Sequence, residues 1–183
     1  MFNASALVKF FDTHKALPHV SKYHLENFKE HCLLVIDEMA KRTDDATLLI
    51  AACLHDIAKP RTQGYNKINQ PCFYGHEKVT DEELSQFLTP DDPRYERVKA
   101  LILCHMTPYN VINKEETDTV VPKLCQKALK KAGIEIEVDD TFIHEVMMLH
   151  EADDAGTIRS DENLTSITDE RIENVISRIA ELA

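Results

Sequence analysis

Apolar positions recur along this chain at spacings of three and four residues, the period of a helix with one buried face. Leu25, Phe28, Cys32, Val35, Ile36 and Met39 mark one such face. Asp44–Lys59 opens with acidic residues and then runs Leu48-Leu49-Ile50-Ala51-Ala52-Cys53-Leu54, apolar on every side. A helix of that kind belongs at the centre of a fold, and Pro60 is expected to stop it. Helical patterning returns over Lys78–Leu88, Arg94–Cys104, Lys123–Ala132, Thr141–Ala155 and Asp169–Ala183. The last of these aligns Ile172, Val175, Ile176, Ile179 and Leu182 on one face. Residues 58–76, with Pro60, Gly64, Asn66, Asn69, Pro71 and Gly75, read as an ordered loop. The alternating IEIEV at 134–138 has no partner strand, so it predicts an extended connector. The expected fold is all-α: one helical domain over residues 1–183, with a buried central helix and a C-terminal helix at 169–183.

Composition agrees. The 183 residues include only four glycines and seven prolines, against roughly thirteen and nine from average usage. Few glycines mean few tight turns, which excludes a many-stranded sandwich or barrel. Lys and Arg total 21 against 32 Asp and Glu, a net charge of −11. Such a surface repels nucleic-acid backbone and anionic lipid, so no extended nucleic-acid face and no membrane association are expected. Cys32, Cys53, Cys72, Cys104 and Cys125 are odd in number, widely spaced and free of any CxxC pair. That disfavours a disulfide framework or a thiolate zinc site. With no signal-peptide pattern or long apolar span, a cytoplasmic location is the expectation.

Chemistry enters with the residues that end the apolar runs. His31 precedes Cys32-Leu33-Leu34-Val35-Ile36, His55-Asp56 ends the central run, and His105 ends Ala100-Leu101-Ile102-Leu103-Cys104. Asp153 closes the helix that carries Met147, Met148 and Leu149. One histidine beside an apolar run is more often a hydrogen-bonded core residue than a ligand. Four helices that each deliver an imidazole or carboxylate to the core are a different matter, because helix bundles build metal sites in this way. His55 and Asp56 point about 100° apart on a regular helix, so a loosened last turn is needed for both to reach one place. Asp56, with two oxygens, is the natural bridging ligand.

The order His31, His55-Asp56, His76, His105, Asp153 resembles the HD superfamily of metal-dependent phosphohydrolases. Leu54-His55-Asp56-Ile57-Ala58-Lys59-Pro60 is similar to that family's LHDIGKP, and Phe73-Tyr74-Gly75-His76-Glu77 to its FYGHE. Both strings are typical of the HD domain of bacterial tRNA nucleotidyltransferases and of related stand-alone HD phosphatases. The resemblance covers about residues 24–156. Ala58 departs from the usual glycine, and nothing here reads as a nucleotidyltransferase domain, so nucleotide addition is not implied. The Glu-Asp pair of guanosine-tetraphosphate hydrolases and the GYP motif of cyclic-di-GMP hydrolases are missing.

The resemblance implies that His31, His55, Asp56 and Asp153 hold a metal. His76 and His105 then bind a second ion, or contact phosphate and assist catalysis when only one is present. Asp56, His76, His105 and Lys59 are the expected catalytic residues. Mixed histidine and carboxylate ligands suit Mn, Fe, Co, Ni or Zn, as one ion or two. Lys59, Arg61, Lys67 and Lys78 make residues 58–79 a cationic stretch of an acidic chain; Lys59 and Arg61 are the expected phosphate contacts. His24 and Asn27 precede His31 by seven and four residues, and would line the pocket mouth if the helix extends that far back. His14, His19 and His144 read as surface residues, and His150 as a candidate partner of Asp153 or an ordinary helix histidine. The expected partner is a small phosphorylated substrate, which the resemblance implies is a nucleotide, with oligomeric state open. Two rival classes stay open: a non-catalytic HD module that binds a nucleotide signal or a protein, and a diiron oxygenase-type member.

Overall fold

In the computed structural model, residues 1–19, 24–111, 114–159 and 168–183 are described. The fold is all-α, as the periodicity predicts. The central helix, α3 (Ala46–Leu54), is started by Asp45, whose carboxylate accepts the Thr47 and Leu48 amides. Every residue from Leu48 to Leu54 is buried, each leucine or isoleucine contributing on the order of 1.5–3 kcal/mol by leaving water. Packed around α3 are α2 (Phe28–Ala40), α6 (Tyr95–Cys104) and α8 (Asp140–Ala155).

The outer elements follow from their own patterns. Helix α1 (Ala4–His14), which the spacing argument does not single out, buries Leu7 and Phe11. The C-terminal helix, α9 (Asp169–Glu181), lies against α1 and α2, burying Val175 and Ile179 from the expected apolar face. Residues 134–139 form neither helix nor strand, consistent with a connector.

Several boundaries differ from expectation, each for a local reason. The central helix ends at Leu54 rather than Lys59, and Pro60 stands in the first turn of the short helix α4 (Lys59–Thr62). Proline is favoured there because that amide has no intrahelical partner. The expected loop contains a two-stranded hairpin, β1 (Gly64–Tyr65) with β2 (Pro71–Cys72), paired antiparallel. The Lys78–Leu88 pattern yields one regular turn, α5 (Asp81–Leu84), fixed by a capping box between Thr80 and Glu83. Helix α7 (Lys114–Ala132) starts well before Lys123 and runs through Pro122. Proline removes one amide donor but does not always end a helix.

At the site itself, α2 does not reach back to His24. It starts at Phe28, and Asn27 is its N-cap, joined to Glu30 in a capping box. The Asn27 side chain is thereby committed to the Glu30 amide instead of a pocket mouth.

Candidate metal centre

The four elements deliver their polar ends to one buried place. His31 sits in the first turn of α2, His55 directly after α3, His105 directly after α6, and Asp153 in the last turn of α8. All four are buried, as are Asp56, Lys59 and His76. Beyond Leu54 the chain passes through turns instead of continuing the helix. His55 and Asp56 can therefore face the same point. His55 Nε2 lies 3.2 Å from Asp56 Oδ2, and His31 Nε2 lies 3.3 Å from that oxygen and 3.2 Å from Asp153 Oδ1. On the other side of Asp56, Oδ1 is 3.3 Å from His76 Nε2, so its two oxygens face two groups of histidines.

Three histidines share one device. His55 Nδ1 lies 2.8 Å from the Ala52 carbonyl, His76 Nδ1 2.8 Å from that of Phe73, and His105 Nδ1 2.6 Å from that of Ile102. A carbonyl only accepts, so each Nδ1 carries a proton and each ring turns its Nε2 inward. His76 Nε2 and His105 Nε2 then lie 3.2 Å apart. Burial lowers the His76 pKa, and burial together with neighbouring His76 and His55 lowers that of His105 to about 3. Two lone pairs facing each other at this distance repel, and a cation between them relieves it.

The surrounding polar atoms make the same demand. His55 Nε2, both His31 ring nitrogens and both Asp56 oxygens are buried without an aligned hydrogen-bond partner. Buried polar groups of this kind are costly unless something coordinates them. Among the described residues three sets have ligand atoms within 4.8 Å of one another: His31, His55 and Asp153; Asp56, His76 and His105; and, with no carboxylate, His19, His24 and His31. Nitrogen and carboxylate donors at this spacing fit one or two divalent transition-metal ions.

Lys59 brings a buried ammonium to the site. Its Nζ lies 2.6 Å from Asp56 Oδ2 and 3.0 Å from His19 Nε2, and 5.5 Å from the centre of the Phe73 ring. Burial works against its charge, but Asp56 and Asp153 reverse that and hold the ammonium protonated. Burial also pushes Asp56 upward, yet His55 and Lys59 bring it well below the usual carboxylate range. Arg61 is directed elsewhere. It forks onto Glu83 and donates to the Lys78 carbonyl, bracing α5 instead of facing the histidines.

His24 lies beside His31, with ring centres 5.0 Å apart, through the chain before α2 and not along it. His150 packs edge-on against Tyr109 at 4.2 Å, and Tyr109 donates to Asp153 Oδ2 at 3.2 Å. Tyr109 is thus the hydroxyl behind Asp153, which the sequence reading does not name. His19 reverses its expected surface position. Only 2% exposed, it has Nδ1 3.3 Å from the Glu26 carbonyl and accepts from Lys59 at Nε2. Burial, then Lys59, pushes its pKa down to about 2, so it is neutral. Glu26, wholly buried beside His24 and His31, is likewise unforeseen. A cavity of about 810 Å³ between α1 and α9 contains none of these groups.

Comparison with known families agrees with this geometry. The family model for the HD domain matches residues 23–152, so the chain belongs to the HD domain family, whose members are in general metal-dependent phosphohydrolases. Searches of curated proteins and of solved structures returned no match. No helix among the described residues is long and apolar enough to cross a membrane.

Proposed function

We propose that the protein is a metal-dependent phosphohydrolase acting on phosphomonoesters or 2′,3′-cyclic phosphates of a nucleotide or a short RNA end. The observation that carries this reading is the convergence of two ligand sets on the two oxygens of Asp56, with a buried lysine beside them. When bound, a divalent ion in these sets supplies a Lewis acid that polarises phosphate and acidifies water. Lys59 Nζ offers its charge to a phosphate oxygen, with His19 and Asp56 holding the ammonium in place. Asp56 orients the attacking water. His76 and His105 turn their Nε2 atoms inward, so where no second ion holds them they accept a hydrogen bond from that water and help to position it.

The substrate class rests on charge and exposed rings. With Arg61 committed to Glu83, Lys59 is the buried lysine at the centre among the described residues, enough for one or two phosphates rather than a long backbone. Tyr65 and Tyr74 are 57% and 82% exposed in the segment leading to His76, where their ring faces are open to a nucleobase. The similarity of the two motif strings to HD domains of RNA-end enzymes points the same way.

The test is a panel of nucleoside monophosphates, 2′,3′-cyclic nucleotides and short 3′-phosphorylated RNAs, each with Mn, Fe, Co, Ni and Zn. Phosphate release or ring opening is expected with at least one metal. It should fall roughly 100-fold in Lys59→Ala, the scale of losing one charge-stabilising donor. Metal-loaded protein that binds a nucleotide tightly and hydrolyses nothing would replace this reading with the non-catalytic module.

A further inference from the structure

Given the reading of His31 as a metal ligand, its ring needs a different anchor from the others. His55, His76 and His105 lean on backbone carbonyls at turns or helix ends. His31 lies within α2, where the main-chain carbonyls are engaged in helix bonds. What faces its Nδ1 is Glu26. A fully buried carboxylate must be met by donors or it neutralises, and three meet this one. His24 Nδ1 is 2.7 Å from Oε1, the Ile158 amide donates to Oε2 at 2.9 Å, and His31 Nδ1 is 3.3 Å from Oε1. The last contact is long and not aligned as a hydrogen bond, so it acts here as charge attraction. Glu26 is held as a carboxylate by direct contacts: His24 donates to Oε1, the Ile158 amide donates to Oε2, and His31 Nδ1 stands over Oε1. An ionised carboxylate accepts and never donates.

The same residue reaches the far side of the centre. The Leu25 amide donates to the Ile158 carbonyl at 3.0 Å, so residues 25–26 and Ile158 are joined twice. Ile158 lies five residues beyond Asp153. Between them Gly156 fits against Val35, where an added Cβ would stand 2.7 Å from the Val35 backbone nitrogen. The chain carrying Asp153 and the chain carrying His31 are therefore tied together at Glu26.

We infer that Glu26 is a positioning residue of the metal centre: it holds the His31 ring with Nδ1–H toward its carboxylate and Nε2 toward Asp56 and Asp153, and it locks that orientation to the segment following Asp153. A carboxylate behind a ligating imidazole also raises the ring's basicity, and losing such a partner typically weakens metal affinity 10- to 100-fold.

Glu26→Gln separates this role from a purely structural one. The amide keeps an oxygen for the Ile158 N–H but removes the charge and places a competing donor near the histidines. Metal affinity would be measured by titrating chelator-stripped wild-type and E26Q protein with Co²⁺ and Zn²⁺, alongside thermal melts of both metal-free proteins. The expected result is affinity lower by about 10- to 100-fold with a metal-free melting temperature close to wild type. Equal affinities would overturn the inference. Long-range ¹H–¹⁵N spectra of zinc-loaded wild type give a second reading that does not depend on the variant folding. His31 should carry its proton at Nδ1, and a proton at Nε2 would overturn the inference. A wild-type protein that takes up neither metal would overturn the reading of the centre itself, a different outcome from a variant that binds as well as wild type.

Discussion

Asp56 concentrates the demands of the site on one side chain. It faces His31, His55, His76 and Lys59 within 3.3 Å. Replacing it with alanine should lower metal affinity at least about 100-fold, beyond the usual loss of an outer partner. Elemental analysis of purified wild type and Asp56→Ala checks this, and equal metal content at the same residues would refute it. The candidates at the ends of apolar runs were legible in the sequence because a charged or imidazole group where the pattern demands core is conspicuous. His19 and Glu26 were not. Neither lies in a periodic segment, and Glu26 is buried only because the Ile158 amide, 132 residues away, helps satisfy it. The sequence does carry one further signal: Asn27-Phe28-Lys29-Glu30 spells a capping box, which places the start of α2 and removes Asn27 from the pocket.

At the scale of elements, two contacts hold helices in the register that the centre needs. Gly156 lets the end of α8 approach Val35 of α2 closely. Gly156→Ala should cost about 1–3 kcal/mol, the range for overpacking a tight contact, seen as a lower urea midpoint. The other contact docks α9: Arg171 donates to Asp37 through both Nε, at 2.8 Å, and Nη2. Burial pushes the Asp37 pKa up, but Lys41 and Arg171 outweigh it and hold it below its ordinary value. A depressed carboxylate stabilises the fold above the unfolded pKa near 4, and that stability is lost as pH falls through the folded value. Arg171→Ala should therefore lower stability by about 0.5–1 kcal/mol at pH 7. The gap from wild type should close as the pH is taken below 4 in chemical denaturation series. Long helices were readable from spacing alone. The hairpin at 64–72 and the passage of α7 through Pro122 were not, since both depend on packing that overrides local preference.

For the molecule as a whole, the candidate metal centre joins α2, α3, α6 and α8 at their polar ends. Without an ion, the bare nitrogens and carboxylates remain crowded in an apolar core. Exhaustive chelation should lower the melting temperature by several degrees, and adding back the ion should restore it, since binding only the folded state stabilises that state. An unchanged melt in demonstrably metal-free protein would refute this. The all-α class was legible from periodicity and glycine scarcity. The positions of the helices relative to one another were not, because they follow from the buried polar cluster as much as from the apolar faces.

The histidines that lean on a carbonyl three residues back also bear on how this chain can vary. His55 and His105 stand where α3 and α6 end, so each ring's direction is tied to its helix's phase. One residue inserted or deleted within either helix would turn the ring about 100° and shift it about 1.5 Å along the axis. The helices that precede these histidines should therefore keep their lengths across related sequences. Insertions should collect instead in stretches such as the hairpin, where a change of length leaves the phase of every ligand alone.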